Sequence, residues 1–177
     1  MRALSAVCFA LLGCASAGEY GYSRTYSPLD AEEVAAEKAK DYDPVMARRM
    51  PHEWKGKSVS VFGIVKSRSQ GPAGTADLAI GVRSLAPRNL CEEADEATCR
   101  VTVSEREHAV VHVLLKLTSG DDIGKNSVGP GSLVRVIGVV GDEVAAHDGT
   151  PVIRARYYRH WPTDFFVTTA ARSYMLR

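Results

Sequence analysis

Gly56-Lys57-Ser58-Val59-Ser60-Val61-Phe62-Gly63-Ile64-Val65 and Gly131-Ser132-Leu133-Val134-Arg135-Val136-Ile137-Gly138-Val139-Val140 echo each other, sharing the pattern Val-x-Val-x-Gly-x-Val. Alternating β-branched residues specify strands with one buried face. A glycine within such a strand marks a bulge, a bend at a barrel corner or a close backbone approach. Small closed barrels need such bends, so the repeated glycine points to one.

Three further stretches carry strand periodicity: residues 77–82, 108–117 and 151–157. Turn signals separate the five. Gln70-Gly71-Pro72-Ala73-Gly74 follows the first, an acidic excursion over residues 91–99 the second, residues 119–131 the third, and His147-Asp148-Gly149 the fourth. An immunoglobulin-like sandwich wants about seven evenly spaced strands. Five unevenly spaced strands predict a mainly β chain folded as a five-stranded OB-like Greek-key barrel over residues 54–160.

A short helical segment, residues 29–53, precedes the barrel. Asp30 with Glu33 reads as a capping box opening a helix over residues 31–40. Asp43-Pro44 reads as a cap and N1 proline before residues 45–50, with Pro51 as the stop. Beyond Val34 the first helix has little apolar surface, so it is expected to dock weakly, as a mobile spacer or lid.

Upstream, residues 3–13 form an apolar run after Met1-Arg2 that closes on Leu11-Leu12-Gly13-Cys14. It is too short to cross a hydrocarbon core, which takes about 20 apolar residues, and it suits the h-region of an export signal. The run resembles a bacterial lipobox. The resemblance implies a signal peptide over residues 1–13, acylation of Cys14, and a lipidated tether over residues 14–28. The alternative is an ordinary signal peptide cut at Ala15-Ser16-Ala17, without lipid. Two or three acyl chains hold a protein stably on a membrane, where one is marginal. Ala15, where lipoproteins retained in the inner membrane tend to carry aspartate, implies the outer membrane, with the domain facing the periplasm.

The glycine-rich first turn, the paired Val-x-Val-x-Gly-x-Val strands and Asp148-Gly149-Thr150-Pro151-Val152-Ile153 resemble the strand grammar of bacterial OB-fold proteins. With the lipobox and the aromatics ending at Trp161-Pro162, about a third of the chain is similar to the starvation-inducible outer-membrane lipoprotein family. The residue 91–99 insertion departs from what that resemblance implies.

Of the four cysteines, Cys8 lies in the signal segment and Cys14 is assigned to lipid, which leaves Cys91 and Cys99. Export places them in an oxidising compartment, and a disulfide is expected; a metal site would need further soft ligands nearby. The formal charge is +1 and falls to zero without Arg2, whereas a nucleic-acid binder carries a strongly basic face. That balance argues against a nucleic-acid partner. Glu92, Glu93, Asp95 and Glu96 make one acidic patch, and Arg154, Arg156 and Arg159 one basic patch.

No catalytic constellation, cofactor motif or metal set is legible. His108 and His112 would share a helix face, but residues 108–117 alternate as a strand, which sets the two imidazoles about 13 Å apart. Gly-x-Ser-x-Gly is absent, and Lys55-Gly56-Lys57-Ser58 lacks the upstream glycine of a phosphate loop. The expectation is a protein that binds without catalysing.

OB-like barrels bind on strands two and three, which here would offer Leu78, Ile80, Val82, His108, Val110 and His112, with Phe62 contributing from the first strand. The segment at residues 161–177 opens on Trp161 and continues through Phe165 and Phe166. Aromatics and arginine are enriched at binding hot spots, and the same residues could instead plug one end of the barrel. The reading is a lipid-anchored, non-catalytic binding or scaffolding module with an envelope protein partner. Its alternative is a receptor for an oligonucleotide or oligosaccharide, using the barrel face with Arg154, Arg156 and Arg159.

Overall fold

In the computed structural model, which describes residues 20, 22–145 and 149–175, five long strands close a barrel. The lipobox with Cys14, the Ala15-Ser16-Ala17 alternative, and His147 with Asp148 lie outside the described residues. The barrel strands are β2 (Ser58–Gln70), β3 (Ala76–Arg83), β5 (Val110–Leu115), β6 (Leu133–Val144) and β7 (Pro151–Trp161). They follow the order β2-β3-β5-β7-β6, and β6 returns to β2. Every contact is antiparallel except the parallel one between β5 and β7. This is the five-stranded Greek-key closure of an OB-like barrel.

The two echoing segments are partners. Val59 faces Gly138, Val61 faces Val136 and Gly63 faces Val134 across the β2–β6 ladder. Side chains alternate, so the shared valines point inward and join Leu78, Ile80, Val82, Val111, Val113, Leu115 and Ile153 in one apolar core. Both glycines are sites of close approach. A Cβ on Gly138 would stand 2.4 Å from the Arg154 carbonyl oxygen, and one on Gly63 would stand 3.0 Å from the Gly81 carbonyl oxygen. The β6–β7 register slips beside Gly138, where Ile137 pairs with Tyr157 and Gly138 with Ala155, leaving Arg156 as the extra residue of a bulge.

β1 (Lys40–Asp41) adds to β2 in parallel, and α2 (Pro44–Arg49) with α3 (Pro51–Trp54) caps one end of the barrel. Asp43 Oδ1 accepts hydrogen bonds from the Val45 and Met46 amides at 2.9 and 3.0 Å, the expected cap. Pro51 does more than stop α2, because its fixed φ also opens α3, whose Trp54 packs edge-on against Tyr42 in the core. At the far end of β2, Val128 enters the core, and Arg68 donates to the Asp122 carbonyl of α4 (Ser119–Asp122) and to the Val128 carbonyl at 3.0 Å.

A second core lies outside the barrel, against β2, β6 and β7. It holds Phe62, Leu133, Trp161, and Val101 and Val103 of β4 (Val101–Val103), which pairs in parallel with β8 (Phe166–Thr168). A last turn, α5 (Arg172–Met175), follows. The helix expected as a mobile spacer or lid is docked on the barrel wall beside this second core. α1 spans Asp30–Ala36, its N-cap is Leu29 rather than Asp30, and the carboxylate reaching back to the Leu29 amide is Glu32 at 3.1 Å. Val34 is 76% exposed, and Glu32 has no exposed surface. The helix docks through a charge rather than an apolar stripe, which hydrophobic patterning does not register.

Candidate functional site

The outward faces of β3 and β5 carry Asp77, Ala79 and Gly81 beside Leu114, His112 and Val110. Leu78, Ile80 and Val82, expected on this face, point into the barrel instead, because Leu78 and Ile80 pair with the inward Val113 and Val111 and Val82 continues the same alternation. His112 is buried, its Nδ1 2.8 Å from Asp77 Oδ1. His108 stands before β5, its Nε2 3.0 Å from the Ser84 hydroxyl. The two imidazoles thus have separate partners. Apart from His112, which is buried against Asp77, none of the outward residues named on these two strands carries a ring, so the face offers no base-stacking platform. Cys91 and Cys99 are joined by a disulfide that closes the acidic excursion.

Across β2, β6 and β7 two outward rows form: Phe62, Arg135 and Arg159, then Ile64, Leu133 and Trp161. The N-terminal segment lies over both. Tyr26 meets Phe62 and Trp161 edge-on at 5.5 and 6.0 Å, and Tyr20 stacks on Phe165 at 4.2 Å. The Trp161 indole NH donates to the Tyr20 carbonyl at 3.0 Å. Glu32 enters between the arginines: Arg135 Nη1 lies 2.5 Å from its Oε1 and Arg159 Nη1 3.1 Å from its Oε2, while the Tyr26 hydroxyl donates to Oε1. Arg159 also donates to the Ser27 carbonyl at 3.0 Å.

The electrostatics of this cluster are mutual. Desolvation pushes the Glu32 carboxyl up, and the hydrogen bonds from Tyr26 and Arg135 outweigh it and hold the group below its ordinary value. Desolvation pushes Arg135 down, and Glu32 more than restores it. Burial, followed by the Glu32 hydrogen bond, raises the Tyr26 phenol. Phe62, Arg159, Trp161 and Phe165 thus stand together in the second core, with Trp161 wholly buried. Sequence reading missed Glu32 and Arg135. The one available signal was a helix too poor in apolar residues to dock by burial.

Arg154 and Arg156 stand apart from Arg159. Arg154 is exposed and pairs with Glu143 at 2.5 Å. The β5–β7 ladder ends where Leu114 meets Arg154; beyond it the strands part around a groove of about 380 Å³. Two residues on along the chain from Leu114 and from Arg154, Lys116 and Arg156 both line the groove, with Tyr157 beside Arg156. Tyr158 reaches beneath the seam, its hydroxyl donating to Asp121 Oδ2 at 2.5 Å and accepting from the Thr118 amide at 3.0 Å. Burial, with Asp121 beside it, raises the Tyr158 phenol. His160 completes the tie, its ring nitrogens 3.1 Å from Asp121 Oδ1 and 2.8 Å from the Asn126 carbonyl.

Among the described residues no three His, Cys, Asp or Glu side chains gather as a metal site, and no helix is long and apolar enough to cross a membrane. No family model and no curated protein matches the chain. Among solved structures it is similar to replication protein A of U. maydis bound to ssDNA, at 15% identity and a TM-score of 0.35, over 72% of this chain and 76% of that one.

Proposed function

We propose that this chain is a lipid-anchored envelope protein of the outer membrane, facing the periplasm, whose OB-like barrel binds or scaffolds another envelope component without catalysing a reaction. The observation that carries this reading is the continuity between the lipobox and the barrel. Tyr20, six residues after Cys14, is held on the second core by the Trp161 indole and by Phe165. Six residues reach at most about 20 Å, so the acylated cysteine would keep the barrel close to the membrane surface. The similarity to the starvation-inducible outer-membrane lipoproteins belongs to this proposal.

The non-catalytic part is supported by how the buried ionisable groups are engaged: Glu32 with two arginines, and His112 with Asp77. The test is acylation in cells. Globomycin should leave a heavier precursor, a fatty-acid label should appear on the protein, and Cys14→Ser should release it from membranes. An unchanged size with no acyl label overturns the anchor. Cross-linking from membranes then asks for the partner: a dominant envelope protein supports the scaffold.

The second reading, an oligosaccharide or oligonucleotide receptor, is favoured by the groove between β5 and β7 more than by the outer face of β3 and β5. Affinity falling steeply with salt would mark phosphate contacts.

A further inference from the structure

We propose that the groove where β5 and β7 part is a binding site for a phosphomonoester carried on a small ring, of the sugar-phosphate class. The inference rests on the reading of the barrel as a binding module and does not depend on the lipid anchor.

Charge makes the first case. On the barrel strands Lys66, Arg68, Arg83, Arg135, Arg154 and Arg159 each pair with a carboxylate: Glu107, Asp122, Glu107, Glu32, Glu143 and Glu32 in turn. Arg156 is the exception among the described cations of these strands, and Lys116, just past the end of β5, likewise has no acidic partner among the described residues. Both are exposed and both line the groove. Among its described lining residues the one carboxylate, Asp121, is already occupied by Tyr158, His160 and the Thr118 hydroxyl. Two uncompensated cations flanking a groove match a phosphomonoester, which carries a charge of about −1.5 to −2 at neutral pH. Arginine supplies a planar fork for its oxygens and lysine a point charge.

Backbone geometry makes the second case. Arg156 is the residue that the β7 bulge displaces, and bulges beside binding sites re-aim a side chain. The bulge sits against Gly138, where any Cβ would meet the Arg154 carbonyl. Tyr157 gives the groove an aromatic wall against which a ring can pack. At about 380 Å³ the groove falls in the size range of small-molecule sites.

The test is calorimetric titration of the full chain in detergent with glucose 1-phosphate, with glucose and inorganic phosphate as the partial probes. Saturable binding of the sugar phosphate, tighter than either partial probe, is expected. Arg156→Gln should weaken it by about tenfold or more, and Lys116→Gln by several-fold, the range of a charge-assisted hydrogen bond. Arg154→Gln, outside the groove, should leave it unchanged, and all three variants should keep the parent melting temperature. No saturable binding, equal affinity for inorganic phosphate, or equal loss in Arg154→Gln and Arg156→Gln overturns the proposal. Failure of acylation would leave this titration untouched. The source of the ring is read in vesicles of phosphatidylcholine with or without phosphatidylinositol 4-phosphate. Competition by the lipid supports a headgroup ligand, and its absence alongside retained binding supports a soluble one.

Discussion

The Glu32 carboxylate lies 2.5 Å from the Arg135 guanidinium, a contact between residues 103 positions apart that fastens the N-terminal helix to the barrel wall. Arg159 reaches the same carboxylate from the next strand, at 3.1 Å. One carboxylate thereby serves two guanidinium groups, the buried Arg159 and the half-buried Arg135. Removing it leaves both guanidinium groups desolvated, so Glu32→Gln is expected to cost about 3 kcal/mol or more, the range for breaking a buried pair. Urea denaturation followed by tryptophan fluorescence checks the figure. A loss below about 1 kcal/mol, the level of a surface pair, would sink this account of the docking.

The same carboxylate makes the docking of the N-terminal helix acid-sensitive. Its folded value lies below the unfolded one, so its contribution is complete above the unfolded value of 4.5 and is lost as pH falls through the folded value. Hydrogen exchange at decreasing pH should therefore show residues 26–36 losing protection, and Glu32→Gln should abolish that pH dependence. Protection that stays flat in the parent contradicts the linkage.

At the alkaline end Tyr42 governs the cap formed by α2 and α3. Burial, helped by Asp43, pushes its phenol from 10.0 up to about 12. The neutral form is the folded one, so its stability is complete below 10 and declines as pH rises towards about 12. Stability measured by denaturant between these limits should fall with pH in the parent and less steeply in Tyr42→Phe.

Gly138 and Gly63 occupy the same place in the repeat, yet they should respond differently to alanine. The Cβ of Gly138→Ala meets backbone atoms at 2.4 and 2.9 Å, whereas Gly63→Ala has its nearest contact at 3.0 Å. Gly138→Ala is expected to lose at least about 3 kcal/mol, the upper range for overpacking, and Gly63→Ala about 1 to 2. Equal denaturation midpoints would remove the special status of the bulge.

Trp161 belongs to the second core, so Trp161→Ala should unfold the outer layer rather than erase a contact surface, at about 3 to 5 kcal/mol. A loss of partner binding with the melting temperature intact would show that its side chain is reached from outside.

Much of the barrel was legible because it depends on local pattern. Alternation in residues 59–65 and 134–140 named two strands and their inward valines, and the glycines announced close approach. Periodicity likewise located β3, β5 and β7, and Asp43-Pro44 announced its helix. What the pattern lacked was parity after a bulge. With Arg156 squeezed out, Tyr158 turns inward to Asp121 and Arg159 turns outward to Glu32, while Arg154 pairs with Glu143.

By itself the sequence determined the five barrel strands, the Asp43 cap and the alternation that builds the inner core, since each depends on neighbours a few residues away. Tertiary structure alone decided that Glu32 is buried, that β4 and β8 pair, and that Lys116 and Arg156 flank one groove. Those outcomes depend on charges and strand ends meeting across the closed barrel, where register and desolvation, rather than local propensity, select the partners.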